Sequence, residues 1–287
     1  MTGGWFSPGG GFGWFRTLIG SVASFVENAR SEPDSEAAVS LVPDGDEVYA
    51  VGDVHGSLTL LDDLLARIGD DAKTAPGVGR RTLIFLGDYI DRGPDSAGVI
   101  ERLAGLSMPG FTIHHLVGNH ELAMLDFLRD PEGGQDWLRF GGIATLASYG
   151  VPGLRDTDDP AELTALRDRL RERMPPHHQT FLENLQPMMT VGDYGFVHAG
   201  VRPGVSLARQ NLDDLCWIRD PFLMFPGRHE KRIVHGHSIT PYPEVRDNRI
   251  GIDTGAYAGG PLTAIALRGS TIRFIQARPP VSLAKAS

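Results

Sequence analysis

The sequence is poor in cysteine, with Cys216 as its single thiol in 287 residues. One thiol cannot form an intrachain disulfide or a thiolate-rich zinc site, and the shortage suits a reducing compartment. No run of about 18 apolar residues is present, so no membrane-spanning helix is predicted. The N-terminus also lacks the basic-then-apolar order of a secretory signal. From these absences we expect a cytoplasmic protein, with Cys216 as a small buried apolar residue.

Basic charge is also scarce, since 27 Lys and Arg residues stand against 36 Asp and Glu residues, a net charge of -9. Sequence-independent binding to nucleic acid or to anionic lipid requires a basic surface. We therefore expect no nucleic-acid partner and no stable membrane association.

Residues 1–46 differ in composition from the rest of the chain. A glycine-rich start precedes FRTLIGSVASFVENAR, which has apolar residues at helical spacing, and residues 28–46 have the composition of an acidic linker. We predict a flexible segment carrying one amphipathic helix. We expect that helix to pack on its own domain or on an identical subunit, and docking on another protein is the alternative.

Residues 47–287 are predicted to form the folded domain. The apolar stretches EVYAV, TLIFL and FTIHHLV read as strands, and a helical pattern follows each one. Residues 137–186 are charged and helical in pattern and are predicted to be an insertion. The last third predicts a hairpin at MMTVGDYGFVHAG, a strand at RIVHGH, and antiparallel pairs from RIGIDTGA and LTAIALRGSTIRFIQ. We therefore predict an α/β fold of two facing sheets with helices on the sheet faces.

Polar side chains that could bind metal follow the apolar strands. They are Asp53, His55, Asp88, Asp91, Asn119, His120, His198, His235 and His237. Carboxylate and amide oxygens together with imidazoles suit divalent manganese, iron or zinc. A carboxylate between two ions would explain why Asp88 directly follows the apolar run LIFLG, because a buried acid needs compensating positive charge.

The motifs GDVHG, GDYIDRG, GNHE, HAG and GHS occur in an order that resembles the phosphoprotein phosphatase family of metallophosphoesterases, in its bacterial single-domain form. The resemblance extends over about residues 47–276. It implies a calcineurin-like sandwich of two mixed β-sheets flanked by helices.

The resemblance also implies two bound divalent ions, manganese first, with iron and zinc as the other candidates. Asp53 and His55 would hold the first ion, Asp88 would bridge both, and the second would be completed by Asn119, His198 and His237. A hydroxide held between the ions would attack phosphorus in line with the leaving oxygen.

Catalytic and substrate-binding roles follow from the same resemblance. His120 is the expected general acid, and Asp91 is expected to hold its imidazole. Arg92, and Arg219 in CWIRDP, are expected to bind phosphate oxygens through their planar guanidinium groups. Tyr257 in TGAYAGG is expected near the metals.

Six other histidines receive no catalytic role from the sequence. His177 and His178 lie in the insertion and are predicted to be solvated, and His229 is placed in a loop next to charges. His114 and His115 are predicted to pack in a strand. His235, the first residue of HGHS, is predicted to lie in the core or behind the ligands, because the family pattern selects His237.

The motifs are compatible with more than one class of substrate. The same metal centre serves protein phosphatases and diadenosine tetraphosphatases, and the nucleotide-cleaving relatives usually have alanine in place of Asp91. Asp91 therefore favours an enzyme that acts on phosphoserine and phosphothreonine in a protein or peptide, and phosphotyrosine is also open. The alternatives are a symmetrical diadenosine tetraphosphate hydrolase and, in a different class, a catalytically inactive metal-binding scaffold.

Overall fold

Ten strands form two sheets in the computed structural model, which describes residues 39–74, 77–152 and 157–279. The predicted N-terminal helix lies outside these residues. The strands are β1 (Asp46–Val51), β2 (Arg80–Phe85), β3 (Phe111–His115), β4 (Met188–Val191), β5 (Tyr194–Val197), β6 (Arg232–His235), β7 (Glu244–Val245), β8 (Arg249–Gly251), β9 (Leu262–Arg268) and β10 (Thr271–Ala277).

Helices follow the first three strands and fill the middle of the chain. They are α1 (Leu58–Lys73), α2 (Ser96–Ala104), α3 (Asn119–Arg129), α4 (Gln135–Trp137), α5 (Ile143–Ser148), α6 (Pro160–Arg173), α7 (Pro176–Glu183), α8 (Leu212–Trp217) and α9 (Asp220–Leu223). A π-helical turn, Leu138–Gly142, joins α4 to α5. None of the helices in the described ranges is long and apolar enough to cross a membrane.

The first sheet has the order β10-β9-β1-β2-β3, and the second has the order β4-β5-β6-β8-β7. Strands β1, β2 and β3 run parallel to one another, as do β5, β6 and β8. The carboxyl ends of parallel neighbours lie at the same edge of a sheet. Each sheet therefore presents one edge at which several loops begin side by side.

Alternate residues of the strands face two different apolar cores. Tyr49 of β1 and Leu83 of β2 are buried in a cluster with residues of the helices, among them Leu61 of α1. Ala50 and Ile84, one position further along, are buried in a cluster that also contains residues of the second sheet. Burial on both faces explains why EVYAV and TLIFL are continuous apolar runs. The prediction of two mixed sheets flanked by helices is confirmed.

One strand pairing differs from the prediction. RIGIDTGA was expected to pair antiparallel with the following LTAIALR segment, but β8 pairs parallel with β6 and antiparallel with β7. The segment LTAIALR forms β9, which lies between β1 and β10 in the other sheet. Every residue of β8 is buried, so its backbone N–H and C=O groups need hydrogen-bond partners, and a neighbouring strand on each side supplies them. The hairpin of β9 with β10 is antiparallel as predicted.

Candidate active site

The predicted metal-binding side chains converge where the parallel strands end. Asp53 and His55 follow β1, Asp88 follows β2, and Asn119 starts α3, which follows β3 after three residues. From the second sheet, His198 follows β5 and His237 follows β6. The two sheets face each other, so their carboxyl-terminal loops supply one common cluster.

The backbone of this cluster is strained. In the described residues, positive φ angles outside glycine occur only at site positions: His55 (42°), Asp88 (53°), Asp91 (72°), Arg92 (65°) and His237 (61°). Such conformations cost about 1 kcal/mol or more per residue and persist where the surrounding structure imposes them. The fold therefore fixes the directions of these side chains at the expense of local backbone energy.

Asp88 lies at the centre of the cluster and is 2 % exposed. Its Oδ2 is 3.4 Å from His55 Nε2, and its Oδ1 is 3.4 Å from His198 Nε2. His198 Nε2 is also 2.9 Å from Asn119 Oδ1. Asp88 is thus placed to share its two oxygens between two groups of ligands.

The tautomers of two histidines are set by backbone carbonyls. His55 Nδ1 is 2.7 Å from the carbonyl oxygen of Ile90, and His198 Nδ1 is 3.1 Å from that of Leu86. Because a carbonyl only accepts, the proton of each neutral ring is assigned to Nδ1, and the Nε2 lone pairs point toward Asp88. Lone pairs that face carboxylate oxygens repel each other unless a cation lies between them, which is the arrangement of metal-ligating histidines.

Burial keeps the histidines of the cluster neutral. It lowers the pKa of His55 and His198 well below the ordinary value, and it lowers the pKa of His237 to about 3, with the Arg219 charge acting in the same direction. The Nε2 atoms of His55 and His237 are buried without a hydrogen-bond partner in the described part of the chain. Neutral imidazoles with free lone pairs are what a divalent metal requires.

Buried acids are crowded beside these histidines. Asp53 accepts a hydrogen bond from the His237 backbone N–H at 3.0 Å, and burial raises its pKa, as do the charges of Asp253 and Asp88. Burial likewise raises the pKa of Asp253 to about 6. Two divalent cations would relieve this repulsion, so the donor set fits a dinuclear metal site. Asp253 was not predicted as a site residue, although it lies two residues after β8.

His120 and Asp91 form a buried pair beside the cluster. His120 Nδ1 is 2.6 Å from Asp91 Oδ2, and Asp91 also accepts hydrogen bonds from Trp137 Nε1 at 2.9 Å and from the Thr145 hydroxyl. Burial alone would lower the pKa of His120, but the charge of Asp88 and the contact with Asp91 raise it above its ordinary value. His120 Nε2 lies 3.9 Å from Asp88 Oδ2 and is the ring nitrogen left for a substrate.

Trp137 and Thr145 were not predicted as site residues. Both come from the helical segment after α3, more than 40 positions from Asp91, and nothing in the local sequence marks them.

The predicted phosphate-binding residues lie at the mouth of the cluster. The Arg92 guanidinium carbon is 4.8 Å from the centre of the Tyr257 ring, which itself meets the His55 ring edge-on at 5.1 Å. Arg92 and Arg219 are both exposed, and Arg219 precedes α9 close enough for its charge to lower the pKa of His237. The exposed cations can therefore meet an anion arriving from solvent.

Glu121, the last residue of GNHE, is a further residue that the sequence analysis missed. Its buried carboxylate accepts hydrogen bonds from the backbone N–H groups of Asp88 at 2.8 Å, Tyr89 at 2.7 Å and Gly118 at 2.9 Å. It thus ties the loop after β2 to the start of α3. Burial beside Asp88 raises its pKa, whereas the N–H donors favour the carboxylate.

We predict that Glu121→Gln lowers the free energy of unfolding by about 2 kcal/mol, because the new amide N–H₂ faces backbone N–H groups that lose an acceptor. Urea denaturation of the metal-free protein measures this, with the exposed Glu132→Gln as the control. An unchanged unfolding midpoint for Glu121→Gln would show that the carboxylate does not hold the loop.

Two facing mixed sheets with a dinuclear-metal donor set at the strand ends define a metallophosphoesterase. The sequence matches the family described as calcineurin-like phosphoesterase over residues 47–258. The chain belongs to this family, and the resemblance noted in its motifs is confirmed.

Relatives with different names are about equally similar to this chain. A protein named serine/threonine-protein phosphatase 2 from Salmonella typhimurium is 28% identical, over 77% of this chain and 93% of its own length. An asymmetrical bis(5'-nucleosyl)-tetraphosphatase from Halalkalibacterium halodurans is 29% identical, over 78% of this chain and 91% of its own.

The crystal structure of a proposed diadenosine tetraphosphatase matches the fold with a TM-score of 0.55 at 22% identity, over 80% of this chain and 93% of that one. The family match establishes a metal-dependent phosphoesterase, and the names of the relatives do not distinguish its substrate.

Proposed function

We propose that this protein is a phosphoprotein phosphatase that hydrolyses phosphoserine and phosphothreonine monoesters, with phosphotyrosine as a further substrate. The observation that carries the proposal is the buried pair of His120 with Asp91, joined by a contact of 2.6 Å. We propose manganese as the metal, since oxygen and imidazole donors without thiolate suit it.

The ligands would divide into two groups around Asp88. Asp53 and His55 would hold one ion, and the other would be held by the residues of the second group, Asn119, His198 and His237. When bound, such a pair supplies Lewis acidity toward the phosphoryl oxygens and activates water. Arg92 and Arg219 would bind and orient the phosphate through their guanidinium groups, with Tyr257 supporting Arg92.

His120 would protonate the leaving oxygen. Its Nδ1–H donates to Asp91, so the proton available for transfer is the one on Nε2 of the imidazolium. Serine and threonine leave as poorly stabilised alkoxides and need that proton early, whereas a nucleotide leaves as a phosphate that needs less help. A histidine held protonated by a buried carboxylate therefore matches a phosphomonoester of an alcohol better than a dinucleotide.

The charge of the adjoining cleft also supports a protein substrate. A cleft of about 450 Å³ is bordered by Trp137, which contacts Asp91, and by Trp217, whose ring is 6.5 Å from that of His237. Its charged lining comprises one arginine, Arg129, and the acids Asp126, Asp130, Glu132, Asp136 and Asp213. A dinucleoside tetraphosphate would be repelled here, and a peptide with basic residues would be attracted.

Hydrolysis of a dinucleoside tetraphosphate is the second candidate, because relatives bearing that name match this chain as well as the protein phosphatase does.

Asp91→Ala separates the two candidates. We expect a loss of about 10²-fold or more in kcat for a phosphoserine peptide, the usual size of a general-acid contribution, and a much smaller loss for diadenosine tetraphosphate. The exposed Asp70→Ala, on α1 and outside the cleft, is the matched control and should retain its peptide kcat. Equal losses on both substrates would contradict the role that we assign to Asp91.

A further inference from the structure

Glu101, His177 and His178 form a second cluster of metal-ligand side chains, away from the predicted centre. One carboxylate oxygen of Glu101, Oε2, lies 2.8 Å from His177 Nε2 and 2.7 Å from His178 Nε2. All three candidate ligand atoms lie within 4.8 Å of one another. We propose that this cluster is a third divalent-metal site, selective for zinc, that is separate from the dinuclear centre.

The donor chemistry favours zinc. Two imidazoles and one carboxylate are frequent zinc ligands, and a water in the fourth position completes a tetrahedron. Ligand atoms bonded to one zinc at about 2.0–2.1 Å lie about 3.3 Å apart, so each Nε2 needs to move only about half an ångström farther from Glu101 Oε2. Manganese and magnesium prefer more oxygen ligands than this cluster offers.

His178 is already oriented as a ligand. It is 2 % exposed, contrary to the solvated position predicted from the sequence, and its Nδ1 is 2.9 Å from the Tyr149 hydroxyl oxygen. With zinc bound at Nε2, the ring proton would lie on Nδ1, and the Tyr149 oxygen can accept a hydrogen bond from it. A ligating histidine whose other nitrogen donates to a fixed oxygen is the usual support of a zinc site.

The open side of the cluster faces solvent, where an ion can enter. His177 and Glu101 have side chains 55 % and 63 % exposed. The hydrogen bonds from both imidazoles lower the pKa of Glu101, so the carboxylate is ionised at neutral pH. Zinc would take the place of the Nε2 protons in the contacts with Glu101, and each neutral imidazole would then carry its one proton on Nδ1.

The position of the cluster suggests what the ion does. Glu101 is on α2, and the two histidines are in the first turn of α7. The first residue of α2, Ser96, accepts a hydrogen bond from the Asp91 backbone N–H at 2.9 Å. A zinc ion would therefore fasten α7 to the helix that supports the Asp91 loop, and it would stabilise the fold without touching the substrate.

Zinc counting tests the proposal on the full-length protein. Wild type, His177→Gln and Glu101→Gln are equilibrated with zinc buffered at low micromolar concentration, freed of excess and analysed for bound zinc. We expect each variant to hold one zinc ion per chain fewer than wild type. Glu183→Gln is the matched control, since it removes an exposed carboxylate from α7, and it should hold as many ions as wild type.

The thermal unfolding midpoint gives a second readout that is independent of activity. Added zinc should raise the midpoint of wild type and Glu183→Gln more than that of His177→Gln, because only the first two would bind the third ion. Equal zinc content in wild type, His177→Gln and Glu101→Gln would overturn the proposal. Both variants leave the dinuclear ligands intact, so this result is separate from any failure of the proposed phosphatase activity.

Discussion

Replacement of His120 by asparagine is expected to lower kcat for a phosphoserine peptide by about 10² to 10⁴-fold, the range that general acids contribute, while the metal content stays at the wild-type level. His120 uses Nδ1 for Asp91, and its Nε2 is 3.9 Å from Asp88, so in the proposed division it supplies a proton and no metal bond. Steady-state kinetics and metal analysis of the same preparation measure both effects.

A substrate with a good leaving group provides the control for this variant. With p-nitrophenyl phosphate the loss of the acid should cost much less, because the phenolate departs without a proton. A variant that loses its metal together with its activity would show instead that His120 is a metal ligand. The side chains of His120, His55 and Asp88 are close enough together to bind one ion. Wild-type turnover in the variant would contradict the role of His120, and no turnover in the wild type itself would favour the inactive scaffold.

Asp88→Asn is expected to remove both the bound metal and the activity. Asp88 lies between the two groups of ligands, at 3.4 Å from a histidine of each, and a neutral amide cannot offset the charge of two cations. The same substitution is not expected to lower the free energy of unfolding of the metal-free protein. Burial raises the pKa of Asp88, so its charge is costly in the absence of metal.

Unfolding with and without a chelator separates these effects. We expect manganese to raise the unfolding midpoint of wild type but not that of Asp88→Asn, and we expect the metal-free variant to be no less stable than metal-free wild type. Asp62→Asn, on the exposed face of α1, is the control and should behave as wild type. Wild-type metal content in Asp88→Asn would contradict the bridging position.

The sequence predicted those parts of the fold and site that depend on short stretches of chain. The strands before Asp53, Asp88 and His198 are apolar runs, and a polar candidate ligand follows each run. The strands and the ligands could therefore be recognised from a few neighbouring residues. The edge at which they meet followed from the parallel order of the strands.

Contacts between distant segments could not be predicted in this way. Thr145 and Trp137 reach Asp91 from the helical segment, and Glu101 meets His178 across 77 positions of sequence. Such contacts depend on how the helices pack, which apolar periodicity alone does not specify. The parallel pairing of β8 was missed for a similar reason, since a three-residue strand carries too little pattern to choose its neighbour.

The most direct test of the proposed function is manganese-dependent phosphate release, measured as kcat/KM for phosphoserine, phosphothreonine and phosphotyrosine peptides beside diadenosine tetraphosphate. The His120–Asp91 pair and the acidic cleft predict higher values for the serine and threonine peptides, above all for those with basic flanking residues. A higher value for diadenosine tetraphosphate would contradict the proposal and would identify the protein as a nucleotide hydrolase.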